Sequence, residues 1–214
     1  MIDDNIWIKQ IKIGLLGDDS VGKTSICGAF LELKFDPEKA STIGVDKLEK
    51  KFLLKNGKEI KVILFDTAGQ ERFRETSIKA IRSVQEIIIV FQMTNRKSFE
   101  VVNKFLQMVN DNWFNPKIVL FGNKIDIEKK EWEITSEEAK EFAKNNNLPY
   151  FEMSAKTKKG INEGFSYAIE EAYHLAEENL NIRDILIQKN DNDYSGCPGY
   201  KKKNKNKYKQ NIII

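Results

Sequence analysis

Hydrophobic positions along the chain fall into short runs separated by segments of helical spacing. Lys9 to Leu16 alternates Lys with Ile before a Leu pair and reads as a strand. Lys23 to about Phe35 carries Ile26, Phe30 and Leu33 on one helical face. Asp36 to Asp46 has no periodicity, and Pro37, Ser41, Thr42 and Gly44 suggest an exposed loop. Leu48 to Leu54 and Glu59 to Phe65 read as two strands, with Asn56-Gly57 predicting a tight hairpin whose turn positions both take positive φ. Glu71 to Val84 is polar, part helix and part loop. Glu86 to Phe91 is an unbroken apolar run of the kind buried on both faces of a parallel sheet, and Lys117 to Phe121 is another. Between them, Ser98 to Val109 is a helix turning Phe99, Val102, Phe105, Leu106 and Val109 inward. Thr135-Ser136-Glu137-Glu138 caps a further helix that ends in Asn145-Asn146-Asn147. Pro149 to Met153 is a last strand, and Asn162 opens a long helix to about Leu180, at most to Gln188. The alternation of strand and helix predicts a doubly wound, mostly parallel six-stranded sheet with one antiparallel edge hairpin and helices on both faces.

Composition narrows the picture. The 214 residues suit one α/β domain over 9–180, with a short extension at 1–8 and a tail at 181–214. From Lys189 the chain is rich in Asn, Lys and Tyr without a core pattern, and disorder is expected there. The net charge of +3 is misleading, because Lys201, Lys202, Lys203, Lys205, Lys207 and Lys209 alone exceed it and leave the domain acidic. A nucleic-acid partner is therefore not expected. Cys27 and Cys197, the two cysteines, form neither a zinc spacing nor a disulfide framework. No signal peptide is visible, and the longest apolar run, Ile87 to Phe91, is far too short for a membrane span. A soluble cytoplasmic monomer is the expectation.

The chemistry starts at Gly17-Asp18-Asp19-Ser20-Val21-Gly22-Lys23-Thr24, which fits the phosphate-binding pattern G-x-x-x-x-G-K-[ST] between a strand and a helix. Successive backbone N–H groups of such a turn face one concavity, and the helix N-terminus adds partial positive charge. Lys23 would neutralise outer phosphates and the Thr24 hydroxyl would hold Mg²⁺, with Ser20, Val21, Gly22 and Ser25 completing the cradle. Asn123-Lys124-Ile125-Asp126 ends a buried strand. A carboxylate at Asp126 accepts from guanine N1–H and the 2-amino group, a pattern adenine lacks, which argues against a P-loop kinase or ATPase.

These motifs, with Ser41-Thr42-Ile43-Gly44-Val45-Asp46, Asp66-Thr67-Ala68-Gly69-Gln70-Glu71-Arg72-Phe73 and Ser154-Ala155-Lys156, resemble the Ras superfamily of small GTPases over about residues 9–180, and Rab proteins most among its branches. The resemblance implies a P-loop NTPase fold and a switch between GTP and GDP, with Mg²⁺ bound and GTP slowly hydrolysed. It implies that Asp66 and Thr42 join Thr24 around Mg²⁺, that the Gly69 N–H meets the γ-phosphate, and that Gln70 orients the attacking water. It further implies guanine contacts from Asn123, Lys124, Asp126, Ser154, Ala155 and Lys156. Phe35 falls where the family packs a ring on the base; the alternative is a core Phe ending a helix. Exchange factors, GTPase-activating proteins and effectors are the implied partners, and vesicle traffic the implied setting.

The chain also departs from the family. Asp19 replaces the usual Gly or Ser beside the γ-phosphate, where it either slows hydrolysis or turns to solvent. Slow or absent hydrolysis would make the protein a nucleotide-loaded scaffold. Lys47, Phe65 and Ala80-Ile81 stand where Rab proteins carry the aromatics of their partner surface, and Gln92 replaces a common Asp. No cysteine occupies the last residues up to Ile214, so prenylation is not expected. The tail lysines then offer at most weak, salt-sensitive membrane contact, peripheral at endomembranes.

Overall fold

The computed structural model describes residues 8–36, 42–69, 81–112 and 116–193, with 112 and 181–193 as backbone alone. Met1 to Trp7, residues 37–41 within the first loop, residues 70–80 and 113–115, and the Lys-rich tail lie outside the described residues. In chain order the elements are β1 (Gln10–Gly17), α1 (Lys23–Phe30), β2 (Val45–Leu53), β3 (Glu59–Thr67), β4 (Glu86–Gln92), α2 (Arg96–Glu100), α3 (Val102–Asn112), β5 (Lys117–Asn123), α4 (Ser136–Asn145), β6 (Tyr150–Glu152) and α5 (Ile161–Asp193). The sheet runs β2-β3-β1-β4-β5-β6. Only the β2–β3 pair is antiparallel, so the expected architecture is the observed one.

The apolar strands β1, β4 and β5 sit centrally because both of their faces are covered. On one face Ile11, Ile13, Leu15, Ile88, Val90 and Val119 meet Ile26 and Phe30 of α1 and Phe165, Ile169 and Tyr173 of α5. There the rings of Phe30 and Phe165 stack at 4.2 Å between centroids. On the other, Ile87, Ile89, Phe91 and Leu120 meet Phe99 of α2, Phe105 and Val109 of α3, and Ala139 and Ala143 of α4. Thr135 caps α4, its hydroxyl accepting from the Glu138 N–H at 3.1 Å.

Several details differ from the pattern, among them the helix expected from Ser98 to Val109, which is broken at Val101 into α2 and α3. Helix α1 stops at Phe30 rather than near Phe35, because Glu32 turns to φ 64° and the Leu33 and Glu32 N–H groups bond back to Gly28 and Ala29. This is a Schellman closure built without glycine. The Lys50 ammonium completes it by donating to the Phe30 carbonyl at 2.6 Å. Strand β2 begins at Val45, before Leu48, and carries its pairing up to Asp66 and Thr67. The hairpin turn spans Leu54 to Gly57, with the Gly57 N–H on the Leu54 carbonyl and only Gly57 at positive φ, 81°. That is a turn followed by a one-residue bulge rather than a two-residue loop. Finally, α5 runs to Asp193, past Gln188, so Lys189 to Asp193, where the composition suggests disorder, continue the helix.

Candidate functional site

At the carboxyl edge of the sheet, β1, β3, β5 and β6 lead into polar side chains or tight turns around one cavity of about 490 Å³. Lining it are Asp19, Ser20, Gly22, Lys23, Thr24, Ser25, Phe35, Thr42, Gly69, Asn123, Lys124, Asp126, Ala155 and Lys156, together with Asp36, Thr67 and Ile127. The last three escape motif reading. Asp36 and Ile127 adjoin residues the motifs name, and Thr67 is held by a bond from its hydroxyl to the Leu15 carbonyl at 2.6 Å.

One end of the cavity is built by β1, its turn and α1. Gly22, at φ 96°, precedes α1 without a side-chain cap, which leaves the first N–H groups of the helix to an anion. No larger residue fits there, since a Cβ would stand 2.4 Å from Asn123 Nδ2. Ser20 also takes positive φ, 57°. The Lys23 ammonium is buried and curls back to donate to the Gly17 and Asp18 carbonyls at 2.9 and 2.8 Å. Burial pushes its pKa down to about 8, while the carboxylates of Asp66, Asp19 and Asp18 hold it up. Gly17 and Val21 serve through the backbone. The Val21 side chain is in the core and its carbonyl accepts from Asn123.

A cluster of oxygens lies beside Lys23. The Thr24 and Thr42 hydroxyls are 2.7 Å apart, and the Thr42 hydroxyl donates to Asp66 Oδ2 at 3.4 Å. Asp66 is fully buried at the end of β3. Two hydroxyls and a carboxylate make a hard donor set that fits Mg²⁺. The Gly69 backbone is pressed against the P-loop: a Cβ there would stand 2.5 Å from the Asp18 carbonyl and 2.6 Å from Asp19 Cα.

At the far end Asn123 ties two loops together. Its Nδ2 donates to the Val21 carbonyl at 2.8 Å and its Oδ1 accepts from the Ala155 N–H at 3.2 Å. Lys124, at φ 68°, lays its ammonium on the Ser20 carbonyl at 2.9 Å. Burial lowers its pKa, opposed by Asp126. Ser154 is buried and does not line the cavity; its hydroxyl donates to Asp126 Oδ1 at 2.6 Å and accepts from the Thr157 N–H at 3.0 Å. Its part is to aim the Asp126 carboxylate. Phe35 lines the cavity while packing on the first core cluster, and it lies beyond the end of α1 rather than at its last turn.

Gln70 lies outside the described residues. Of the positions that depart from the Rab pattern, Lys47 is exposed and ion-paired with Glu49 at 2.8 Å. Phe65 is half-buried against the second core cluster, and Ile81 is wholly buried within it. Ile81 therefore belongs to the core, packed over Gly14, and not to a partner surface. Ala80 lies outside the described residues. Gln92 is buried, and its backbone exchanges hydrogen bonds with the Ser98 hydroxyl. Among the described residues no helix is long and apolar enough to cross a membrane.

Comparison with known proteins agrees with this geometry. Residues 12–174 match the Ras family. The chain is 38% identical over 170 residues to Ras-related protein Rab-18 of Caenorhabditis elegans, covering 78% of this chain and 82% of that protein. To Ras-related protein Rab-18-B of Danio rerio it is 32% identical over 205 residues, 93% of this chain and 98% of the other. Ras-related protein SEC4 of Saccharomyces cerevisiae is 36% identical over 156 residues, 72% of this chain and 71% of its own length. The chain belongs to the Ras family and is a Rab-like small GTPase.

Proposed function

We propose that this protein is a GTP/GDP-dependent switch that binds guanine nucleotide with Mg²⁺, slowly hydrolyses GTP to GDP and phosphate, and regulates vesicle traffic. The observation that carries the reading is the convergence on one cavity of the Lys23 cradle, the Thr24–Thr42–Asp66 oxygens and the Ser154-aimed Asp126. Lys23 holds the outer phosphates. Asp126 accepts from guanine, which presents two donors where adenine presents none. When bound, Mg²⁺ neutralises charge on the phosphates. Thr42 and Gly69 begin and end the β2–β3 hairpin's link to the site, so loss of a terminal phosphate releases both segments at once. Gln70 is assigned the orientation of the attacking water by its place in the family motif. Vesicle traffic, peripheral association with endomembranes, and exchange factors, activating proteins and effectors as partners rest on Rab membership.

A second reading is a GTP-binding scaffold with little hydrolysis. It is favoured by one observation, Asp19 lining the cavity. Single-turnover phosphate release from GTP-loaded protein separates the two. Slow release that Gln70→Leu abolishes supports the switch. Retained GTP with no release supports the scaffold, and restoration of release by Asp19→Gly would trace the defect to that carboxylate.

A further inference from the structure

We infer that Asp19 sets the balance between diphosphate and triphosphate in this site, lowering the relative affinity for the nucleotide that carries a terminal phosphate. The inference rests on the guanine-nucleotide reading above and concerns equilibrium binding, separate from the rate of hydrolysis. Asp19 lines the cavity together with Lys23, Thr24, Thr42 and Gly69, the groups assigned to the outer phosphates and the metal. Its backbone is pressed on Gly69, so no space separates it from the segment that follows β3. The Lys23 ammonium is held in the same turn by the Gly17 and Asp18 carbonyls, so the Asp19 carboxylate stands beside the cation that an arriving phosphate would meet. Asp66 is buried and belongs to the metal-ligand set, whereas Asp19 is exposed to the cavity and has no such assignment.

Two consequences follow from a carboxylate in that place. It shares Lys23 with whatever phosphate arrives, weakening the neutralisation that phosphate receives. It also repels incoming negative charge directly, and the terminal phosphate adds charge that a diphosphate lacks. Only the difference between the two nucleotides shifts the balance between states. Removing one unit charge from a partly solvated site changes that ratio by about tenfold. The free or weakly regulated protein is thereby biased toward its diphosphate-bound form.

The test uses the full chain with Mg²⁺ and a fluorescent GDP displaced by GDP or by a non-hydrolysable β,γ-imido analogue of GTP. Wild type is compared with Asp19→Asn and Asp19→Ser, which remove the charge, and Asp19→Glu, which keeps it. The expected result is a shift of about tenfold in favour of the triphosphate analogue in both neutral variants, with the Glu variant within about threefold of wild type. An unchanged ratio in the neutral variants, with both nucleotides still bound, overturns the inference and leaves the switch reading intact. Equal weakening of both nucleotides overturns it as well. Failure of the wild type to bind either guanine nucleotide overturns the switch reading and this inference together.

Discussion

Glu86 opens β4 at the end of the sheet opposite the cavity, and it is 1% exposed. Among the described residues its Oε2 meets no hydrogen-bond donor. Burial raises its pKa to about 9, Glu171 on α5 adds to the rise, and Lys117 on β5 opposes it. Lys117 is already 3.8 Å from Glu171, so its charge is divided. The folded protein therefore keeps the Glu86 carboxyl protonated at neutral pH, while the unfolded chain releases that proton near pH 4.5. Because the folded state binds the extra proton, stability falls as pH rises above about 4.5 and levels off only beyond about 9. One proton corresponds to about 1.4 kcal/mol per pH unit, so between pH 6 and 8 this group costs the fold about 3 kcal/mol. Glu86→Gln removes the titration and keeps the shape. Its amide leaves donors to satisfy, which shifts the absolute stability but not the slope with pH. Urea unfolding of both proteins at pH 6, 7 and 8, with saturating GDP, reads the difference. The variant is expected to gain on wild type by about 3 kcal/mol across that range. Parallel pH profiles would refute the reasoning.

Two further substitutions probe the hairpin and the base end. In Gly57→Ala a Cβ would meet nothing within 4 Å, so the cost comes from φ 81° alone, about 1 kcal/mol in denaturant unfolding with nucleotide binding unchanged. In Ser154→Ala the Asp126 carboxylate loses the hydroxyl donor at 2.6 Å, and GDP affinity in a displacement titration should fall about tenfold or more. Inorganic phosphate displacing from the same cradle should be unaffected, because Ser154 does not line it.

The phosphate cradle was legible because its requirements are local. Gly22 and Lys23 act within a single strand–turn–helix unit, where φ 96° at Gly22 is a demand of the turn itself; the approach of Asn123 from β5 is a second reason for the glycine that only the folded chain shows. The mostly parallel, doubly wound architecture followed from apolar runs that only a doubly covered sheet can bury. What escaped was set by distant contacts. Nothing near Glu32 announces that α1 closes there, since the closure relies on Lys50 from another strand. Ile81 has the look of a surface substitution until β1 presents Gly14 beneath it. Glu86 reads as the polar start of an apolar strand, and only the packing of α5 over the sheet turns it into a buried acid. The meeting of Thr42 with Thr24 and Asp66 joins three segments remote in sequence; only the resemblance to the Ras superfamily anticipates it, because a loop threonine by itself carries no signal of it.

We propose that the Asp126 end of the cavity selects guanine while the Lys23 end holds phosphate. Equilibrium titration of GDP and ADP with Mg²⁺, on wild type and Asp126→Ala, separates the two roles. GDP is expected to bind at least about ten-thousandfold more tightly than ADP to wild type, with the variant losing most of that preference through weaker GDP binding. Comparable affinity for ADP, or a guanine preference that survives in Asp126→Ala, would contradict it.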